Sequence, residues 1–515
     1  MQTPAEARAA PAGSAEKKSE RFICLLLGAI LIMSAGTQLA TAEFGPGVVS
    51  HLARFGEIYA DSWDDWGFGR TLGVPLSLNT GSTVVERVPY AHMPPLGWWP
   101  PYLGRSLFGK GPLGLRLFPT IFTMGGLAIL SILIARRSRP FFGLAFLTAS
   151  LAMPGVQLYA AMPGIESISL FMIAVFLWML ERKSYRVSVG VAFLFLLGCQ
   201  TAWPFYFIAP GLVIASFGRS GWKRLWPLFP IGVLGFLLVV LHLILGVGDA
   251  EFVWNDLKET VRNTTQDGLS GDTATHGTRG AFLASVIPML RLNLGLPTAV
   301  LSVVLLVAAL LRPRCRGDAG LRLSIAVLVV GILNVVLFNG RSSSHSYYYF
   351  LLAVAVAMVI VTASHALLLS FPKPGLANRF AGVLLLTTVA CSSHGLASNW
   401  DFKQQLEAEG AAAMAELIDT QVPADRAFVC FRDEILDAVL YSKRRFLPPL
   451  PSIPLLDGIL SRMDRGEEPF TGLVVLLDEQ SEAAFPEYAA KLRMEAKRRA
   501  EARIIASGLG TVFML

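Results

Sequence analysis

The sequence predicts an all-α polytopic membrane protein of about 11 transmembrane helices, followed by a small C-terminal α/β domain. Three observations predict it. The 515 residues are 53% apolar and only 16% charged, and the mean hydropathy is +0.54, which no soluble globular chain of this size needs. Apolar runs close to the ~20 residues that span a bilayer core recur along the chain. Lys and Arg gather in every second connector.

The runs are 22–41, 114–135, 141–160, 165–181, 186–200, 203–217, 225–247, 296–311, 321–339, 347–370 and 380–397. Trp203-Pro204 divides the stretch 186–217, and a shallow helix is expected ahead of the span at 296–311. The basic connectors hold Lys17, Lys18 and Arg21, then Arg136, Arg137 and Arg139, then Arg182, Lys183 and Arg186. Arg219, Lys223 and Arg224 continue the series, then Arg312, Arg314 and Arg316, then Lys373 and Arg379. Because positive loops stay cytoplasmic, the N-terminus is expected inside. The expected domains are a disordered cytoplasmic tail at 1–20, a transmembrane domain at 21–397 with a long first outer loop at 43–113, and an outer domain at 398–515. The first run is read as a retained anchor and not a cleaved signal.

The net charge of +7 comes from the inner loops. It argues for no nucleic-acid partner, and an anionic-lipid docking site is its secondary reading. The five cysteines include no CxxC pair, so neither a metal site nor a disulfide framework is expected. From about Asn399 the composition turns soluble. Residues 426–431, 472–477 and 510–515 read as strands, and 404–419, 433–444 and 480–504 as helices.

Ionisable residues cost roughly 2.5–3.5 kcal/mol each at the centre of a membrane helix, so their positions carry information. His242 and His365 lie in or near apolar runs and read as structural. The remaining groups gather at outer ends of spans in three clusters. The first is the 43–113 loop, especially EIYADSWDDWGF at 57–68 and PYAHMPPL at 89–96. Its Trp63, Trp66, Trp98, Trp99, Tyr59, Tyr90 and Tyr102 read as rings settled at the headgroup level. The second is Met162 to Glu166, where a helix-capping role competes with a binding one. The third is Arg341 to Phe350, where Arg341 and His345 precede three tyrosines. Acids, a histidine and aromatics at a membrane surface suit chemistry on a molecule that is part lipid and part water-soluble.

The order of these features resembles the GT-C superfamily of integral-membrane glycosyltransferases, in the branch of protein O-mannosyltransferases and lipid A aminoarabinose transferases. The pieces that carry the resemblance are Tyr90-Ala91-His92-Met93-Pro94-Pro95-Leu96 inside a long first outer loop, Leu107-Phe108-Gly109 followed by Leu115-Arg116-Leu117-Phe118-Pro119, Met162 with Glu166, and His345-Ser346-Tyr347. The resemblance implies an inverting transfer of a sugar from a polyprenyl-phosphate donor to an acceptor hydroxyl on a glycan, lipid or protein. It also implies a bacterial inner membrane with the active site on its outer face. Members of that superfamily carry an acid, often Asp-Glu, soon after the first span. Here the matching stretch reads Glu43-Phe44-Gly45-Pro46, which leaves the base open among Glu43, Glu57, Asp61, Asp64 and Asp65, with Glu57 and Asp61 preferred. His92, Glu166, Arg341, His345 and Tyr347 are the expected substrate-binding residues. Arg341 and His345 would meet the donor phosphate. No resident cofactor is expected, and the use of a divalent cation is left open. The rival readings are a secondary transporter or lipid flippase, against which stands the lack of midplane charges and inverted repeats, and a scaffold acting through its tail.

Overall fold

A computed structural model of the chain describes residues 28–37, 39, 56–57, 59–64, 67–78, 87–89, 91, 93–216, 223–265, 279–339, 346–370, 411–430, 445–447, 453–466, 471–477, 482, 485–499, 503–507 and 510–515. After a short apolar helix at Gly28–Thr37, two strands, β1 (Leu76–Leu78) and β2 (Arg87–Pro89), pair antiparallel. The helices that follow are α1 (Trp99–Phe108), α2 (Pro112–Arg137), α3 (Pro140–Ala152), α4 (Ile165–Arg182), α5 (Val189–Cys199) and α6 (Ile208–Ala215). Then come α7 (Leu228–Val247), α8 (Ala250–Thr265), α9 (Arg279–Leu294), α10 (Leu296–Leu311), α11 (Ala319–Leu337) and α12 (Phe350–Leu369).

Among the described residues, four helices are long and apolar enough to cross a membrane: Leu113–Arg137, Lys223–Val247, Ala319–Leu337 and Tyr347–Leu369. The bent pair Ala284–Leu294 and Leu296–Leu311, turned by 93°, makes a fifth if counted as one span. The bend falls at Gly295, whose φ of 72° only glycine adopts readily. The expected single span at 141–160 is instead two helices, α3 and Pro154–Tyr159. Pro154 supplies no N–H and bars the residue before it from helical dihedrals, and Met153 is accordingly extended. The expected run 380–397 and parts of 22–41 lie outside the described residues.

Burial sorts the helices. The span Tyr347–Leu369 is wholly buried, and α12 packs against α3, α10 and α11. Its contact with α11 depends on Gly331, where a Cβ would lie 2.7 Å from the Leu352 Cα; small residues let membrane helices approach this closely. The span Lys223–Val247 is only 22% buried. It turns Val233, Leu237, Leu241 and Leu245 outward, as does α10 with Val300, Val303, Val304 and Val307. Apolar surface of that extent on long apolar helices suits contact with lipid. The chain is an integral membrane protein.

Toward the C-terminus, α13 (Ala411–Gln421), β3 (Arg426–Cys430), β4 (Arg445–Leu447), α14 (Ile453–Asp464), β5 (Gly472–Leu477), α15 (Pro486–Arg498), β6 (Arg503–Ser507) and β7 (Gly510–Met514) build a five-stranded sheet with helices on it. The strand order is β4-β3-β5-β7-β6. β3 runs parallel to β4 and β5, and β7 antiparallel to β5 and β6. Alternate residues Ala427, Val429, Leu473, Val475, Leu477 and Phe513 form one core with Leu456, Ile459 and Leu460 of α14 and Tyr488 and Leu492 of α15. β4, α14 and β6 have no counterpart in the sequence reading. The expected helix 480–504 gives way to an end at Arg498 and a strand at 503–507. The expected helix 433–444 lies outside the described residues.

Candidate active site

The long first loop organises itself around a short helical stretch at 59–64, approached through Gly56 and Glu57. Glu57, Asp61 and Asp64 follow the i, i+4, i+7 spacing that puts side chains on one helical face. Tyr59 and Trp63, four apart, leave from another face and form an aromatic core with Trp98, Phe68, Trp99 and Tyr102. The Tyr59 and Trp98 rings meet edge-on at 5.0 Å, and Phe68 stacks on Tyr102 at 5.2 Å. Trp63 donates to the Val74 carbonyl at 3.1 Å and Trp99 to that of Gly73 at 3.3 Å. The expectation that the loop's rings sit at the headgroup level is therefore corrected for Tyr59, Trp63 and Trp98, which are buried in the loop's own core. Burying such large rings supplies the stability a long polar loop otherwise lacks.

Opposite this core, the acids meet two cations supplied by the end of α1 and the turn after it. Arg105 Nε lies 2.9 Å from Glu57 Oε2. One of its Nη atoms bonds Asp61 Oδ1, and the other lies 3.2 Å from Asp64 Oδ2. Lys110 Nζ lies 3.4 Å from Asp61 Oδ2, and the Tyr102 hydroxyl donates to Asp64 at 3.3 Å. The Gly111 N–H donates to Glu57 Oε1 at 3.3 Å. This geometry requires α1 to lie very close to α2. A Cβ on Gly104 would fall 2.1 Å from the Gly114 carbonyl oxygen, so glycine is needed there. Gly109 and Gly111, at φ 84° and 132°, then turn the chain so that Lys110 and the Gly111 amide face the acids. Pro100 and Pro101 at the start of α1 and Pro112 at the start of α2 pre-set both helices.

Three carboxylates face two cations, and Glu57 is fully buried. Burial outweighs the pull of Arg105, Lys110 and the Gly111 amide and pushes its pKa up to about 7. Although Oε2 is ion-paired, its contact with Arg105 lacks hydrogen-bond alignment, whereas both oxygens of Asp61 are held, one by Arg105 and one by Lys110. Glu57 can exchange a proton near neutral pH; Asp61 is committed to its cations.

Glu166 is buried in the first turn of α4, with its carboxylate turned back on its own backbone N–H. A Cβ on Gly164 would meet its Oε2 at 2.5 Å. The turn that carries Glu166 abuts the acid-bearing stretch, since a Cβ on Gly56 would lie 3.7 Å from Pro163. It also abuts the turn at Pro95–Trp98, through Gly97 against Ile165. Tyr347 is half-buried and stacks on Tyr348 at 4.9 Å, whose carbonyl accepts from Asn334. His92, Arg341 and His345 lie outside the described residues. Arg105 and Lys110 did not stand out in the sequence as site residues. Among the described residues no group of His, Cys, Asp or Glu is arranged to hold a metal ion.

The architecture aligns with the crystal structure of ArnT from Cupriavidus metallidurans in the apo state, with a TM-score of 0.59 at 14% identity over 95% of this chain and 97% of that one. It aligns equally with the same protein bound to undecaprenyl phosphate, with a TM-score of 0.60 at 13% identity and the same coverage. The chain shares the fold of that structure. The alignment spans nearly the whole length of both chains. In sequence, no family model and no curated protein matches.

Proposed function

We propose that the chain is an inverting glycosyltransferase that moves a sugar from a polyprenyl-phosphate donor to an acceptor hydroxyl at the outer face of a bacterial cell membrane. The observation that carries the reading is Glu57, a buried carboxyl with a pKa near 7 in the outer loop of a GT-C fold. An acceptor hydroxyl is a weak nucleophile, and a carboxylate that takes its proton as the new bond forms contributes about 10²–10⁴ in rate. Attack by the oxygen on the anomeric carbon breaks the bond to phosphate, the pair of electrons leaves on the phosphate, and a single displacement inverts the carbon. Glu57 is the base. Asp61 and Asp64 hold Arg105 beside Glu57, and Arg341 and His345 would meet the departing phosphate. Glu166, His92, Arg341, His345 and Tyr347 remain the proposed contacts to donor and acceptor.

A place for the lipid supports the reading. An apolar groove of about 560 Å³ opens on the side of the bundle, lined by Trp203, Phe207, Phe229, Phe236, Leu257 and Phe338 among others. The ArnT structure that this chain resembles was solved with undecaprenyl phosphate bound. The loop at 43–113 and the C-terminal sheet domain then face the outer compartment, and the N-terminus faces the cytoplasm. Sugar transfer from a synthetic polyprenyl-phosphate donor in membranes tests the reading. Activity is expected in the wild type and lost in Glu57→Gln. Full activity in that variant, or transport and lipid scrambling with no sugar donor present, overturns it.

A further inference from the structure

Four residues of the long first loop, Thr71 to Val74, form a turn that local preference opposes. Leu72 has a φ of 50° and Gly73 a φ of 72°. Glycine enters this left-handed region freely, but the Cβ of a leucine crowds its own backbone there. Leu72 keeps such a conformation only where its surroundings over-determine it. Burial of its side chain does not do so, because Leu72 is 42% exposed.

The turn is held by its carbonyls. Three consecutive ones each meet a ring nitrogen, and each ring comes from a different element. His242 of α7 bonds the Leu72 carbonyl at 2.8 Å, Trp99 of α1 that of Gly73 at 3.3 Å, and Trp63 of the stretch 59–64 that of Val74 at 3.1 Å. A carbonyl only accepts, so His242 Nε2 carries the proton in this contact. The His242 and Trp99 rings also meet edge-on, with centroids 6.3 Å apart. Gly246, four residues after His242 on the same face of α7, lets the turn come in: a Cβ there would lie 2.5 Å from the Thr71 carbonyl oxygen.

These contacts run in series to the charged cluster. Trp63 shares its helical stretch with Asp61 and Asp64, which hold Arg105, and Arg105 lies 2.9 Å from Glu57. Trp99 opens α1, the helix that carries Arg105. Both sides of the cluster are therefore tied to one turn. Of the three donors, His242 alone belongs to a helix long and apolar enough to cross a membrane, where a histidine is costly to place.

We propose that His242 is a positioning residue for sugar transfer: its bond to the Leu72 carbonyl keeps the Thr71–Val74 turn left-handed, and through Trp63 and Trp99 that turn fixes Arg105 among the acids. Without the bond, the Leu72 backbone relaxes toward ordinary dihedrals and the Gly73 and Val74 carbonyls swing away from the two indoles. The consequence for catalysis rests on the transferase reading; the pinning of the cluster does not.

The test uses the purified full chain in detergent and two substitutions. His242→Phe keeps a ring against Trp99 and removes the donor, and His242→Gln keeps an N–H. Hydrogen–deuterium exchange is followed at 67–74, where Gly73 and Val74 donate to Phe68 and Thr71, and at 105–111, where the Gly111 amide donates to Glu57. His242→Phe is expected to speed exchange in both segments about tenfold, the effect of losing one hydrogen bond, with His242→Gln near wild type. In sugar transfer, kcat is expected to fall about tenfold in His242→Phe at unchanged donor KM, and to recover in His242→Gln. Glycine holds the left-handed turn unaided, so the same loss is expected to shrink in a Leu72→Gly background. Equal losses in both backgrounds with no recovery by Gln, or faster exchange confined to 67–74, overturn the proposal. If His242→Phe does not fold, His242→Leu decides by the same readouts. If the wild type transfers no sugar, the transferase reading falls, and exchange at 105–111 still decides whether His242 pins the cluster.

Discussion

At the scale of single residues, Glu57 is held where its two protonation states are nearly balanced. As a base it works only when ionised, so transfer is expected to rise as pH climbs through about 7. Glu57→Gln keeps the shape and removes the proton acceptor; kcat in a membrane assay is expected to fall about 10²–10⁴-fold, with Asp61→Asn costing less. Arg105 lowers the Glu57 pKa against the opposing effect of burial. Removing its charge in Arg105→Gln favours the protonated acid, so the acidic limb of the rate profile moves to higher pH and part of the activity returns in alkaline buffer. A purely structural loss would depress the rate at every pH and leave the limb where it was. Glu57, Asp61 and Asp64 were legible in the sequence as candidates, because they are acids clustered in the long first loop. Their cations were not. Arg105 lies 44 residues from Asp61, Lys110 lies 49 away, and the Gly111 amide lies 54 from Glu57, and no local pattern signals contacts over such separations.

At the scale of elements, the cations reach the acids because α1 crosses α2 at glycines. In Gly104→Val the added carbons meet the Gly114 carbonyl, so the helices must part. The expected result is a loss of ~1–3 kcal/mol, read as a lower unfolding temperature in detergent, together with reduced transfer as Arg105 shifts. Gly69→Ala in the same loop is the contrast: a Cβ there meets nothing within 4 Å, and both readouts are expected to stay at wild-type values. An equal effect of the two substitutions would sink the crossing as the organising contact. Helix positions were legible because long apolar runs force helices in lipid. Interruptions were less so. Hydropathy averages over Met153-Pro154 and Gly295, where the backbone breaks although the side chains stay apolar. In the tail, Glu, Lys and Arg carried a helical reading through residue 504. The pairing of Arg503–Ser507 with Gly510–Met514 overrides it, since strand pairing is set by a neighbour that local propensity does not see.

At the scale of the whole molecule, the long first loop and the lateral groove are parts of one assembly. Val74 and Ala91 of the loop pack with Val239 and Leu243 of α7 and Val253 and Leu257 of α8. His242 of α7 also bonds the Leu72 carbonyl at 2.8 Å. Leu257 lines the groove as well, so the surface under the loop continues into the apolar channel. α8 is amphipathic: Val253 and Leu257 are buried, while Trp254 is exposed with Lys258 5.3 Å from its ring, as suits a helix lying at a membrane surface. A carrier with its tail in this groove would present its phosphate beneath the loop that holds Glu57. Val261 of α8 borders the groove and is largely exposed, so Val261→Trp can narrow the channel without disturbing the core. Wild-type protein is expected to co-purify with an isoprenoid phosphate detectable by mass spectrometry. In Val261→Trp that lipid is expected to diminish and the donor KM to rise, while kcat and unfolding temperature hold, because the reacting groups and the buried packing are untouched. Unchanged lipid content and unchanged KM would mean that the donor tail lies elsewhere, and the link between groove and loop would lose its functional meaning.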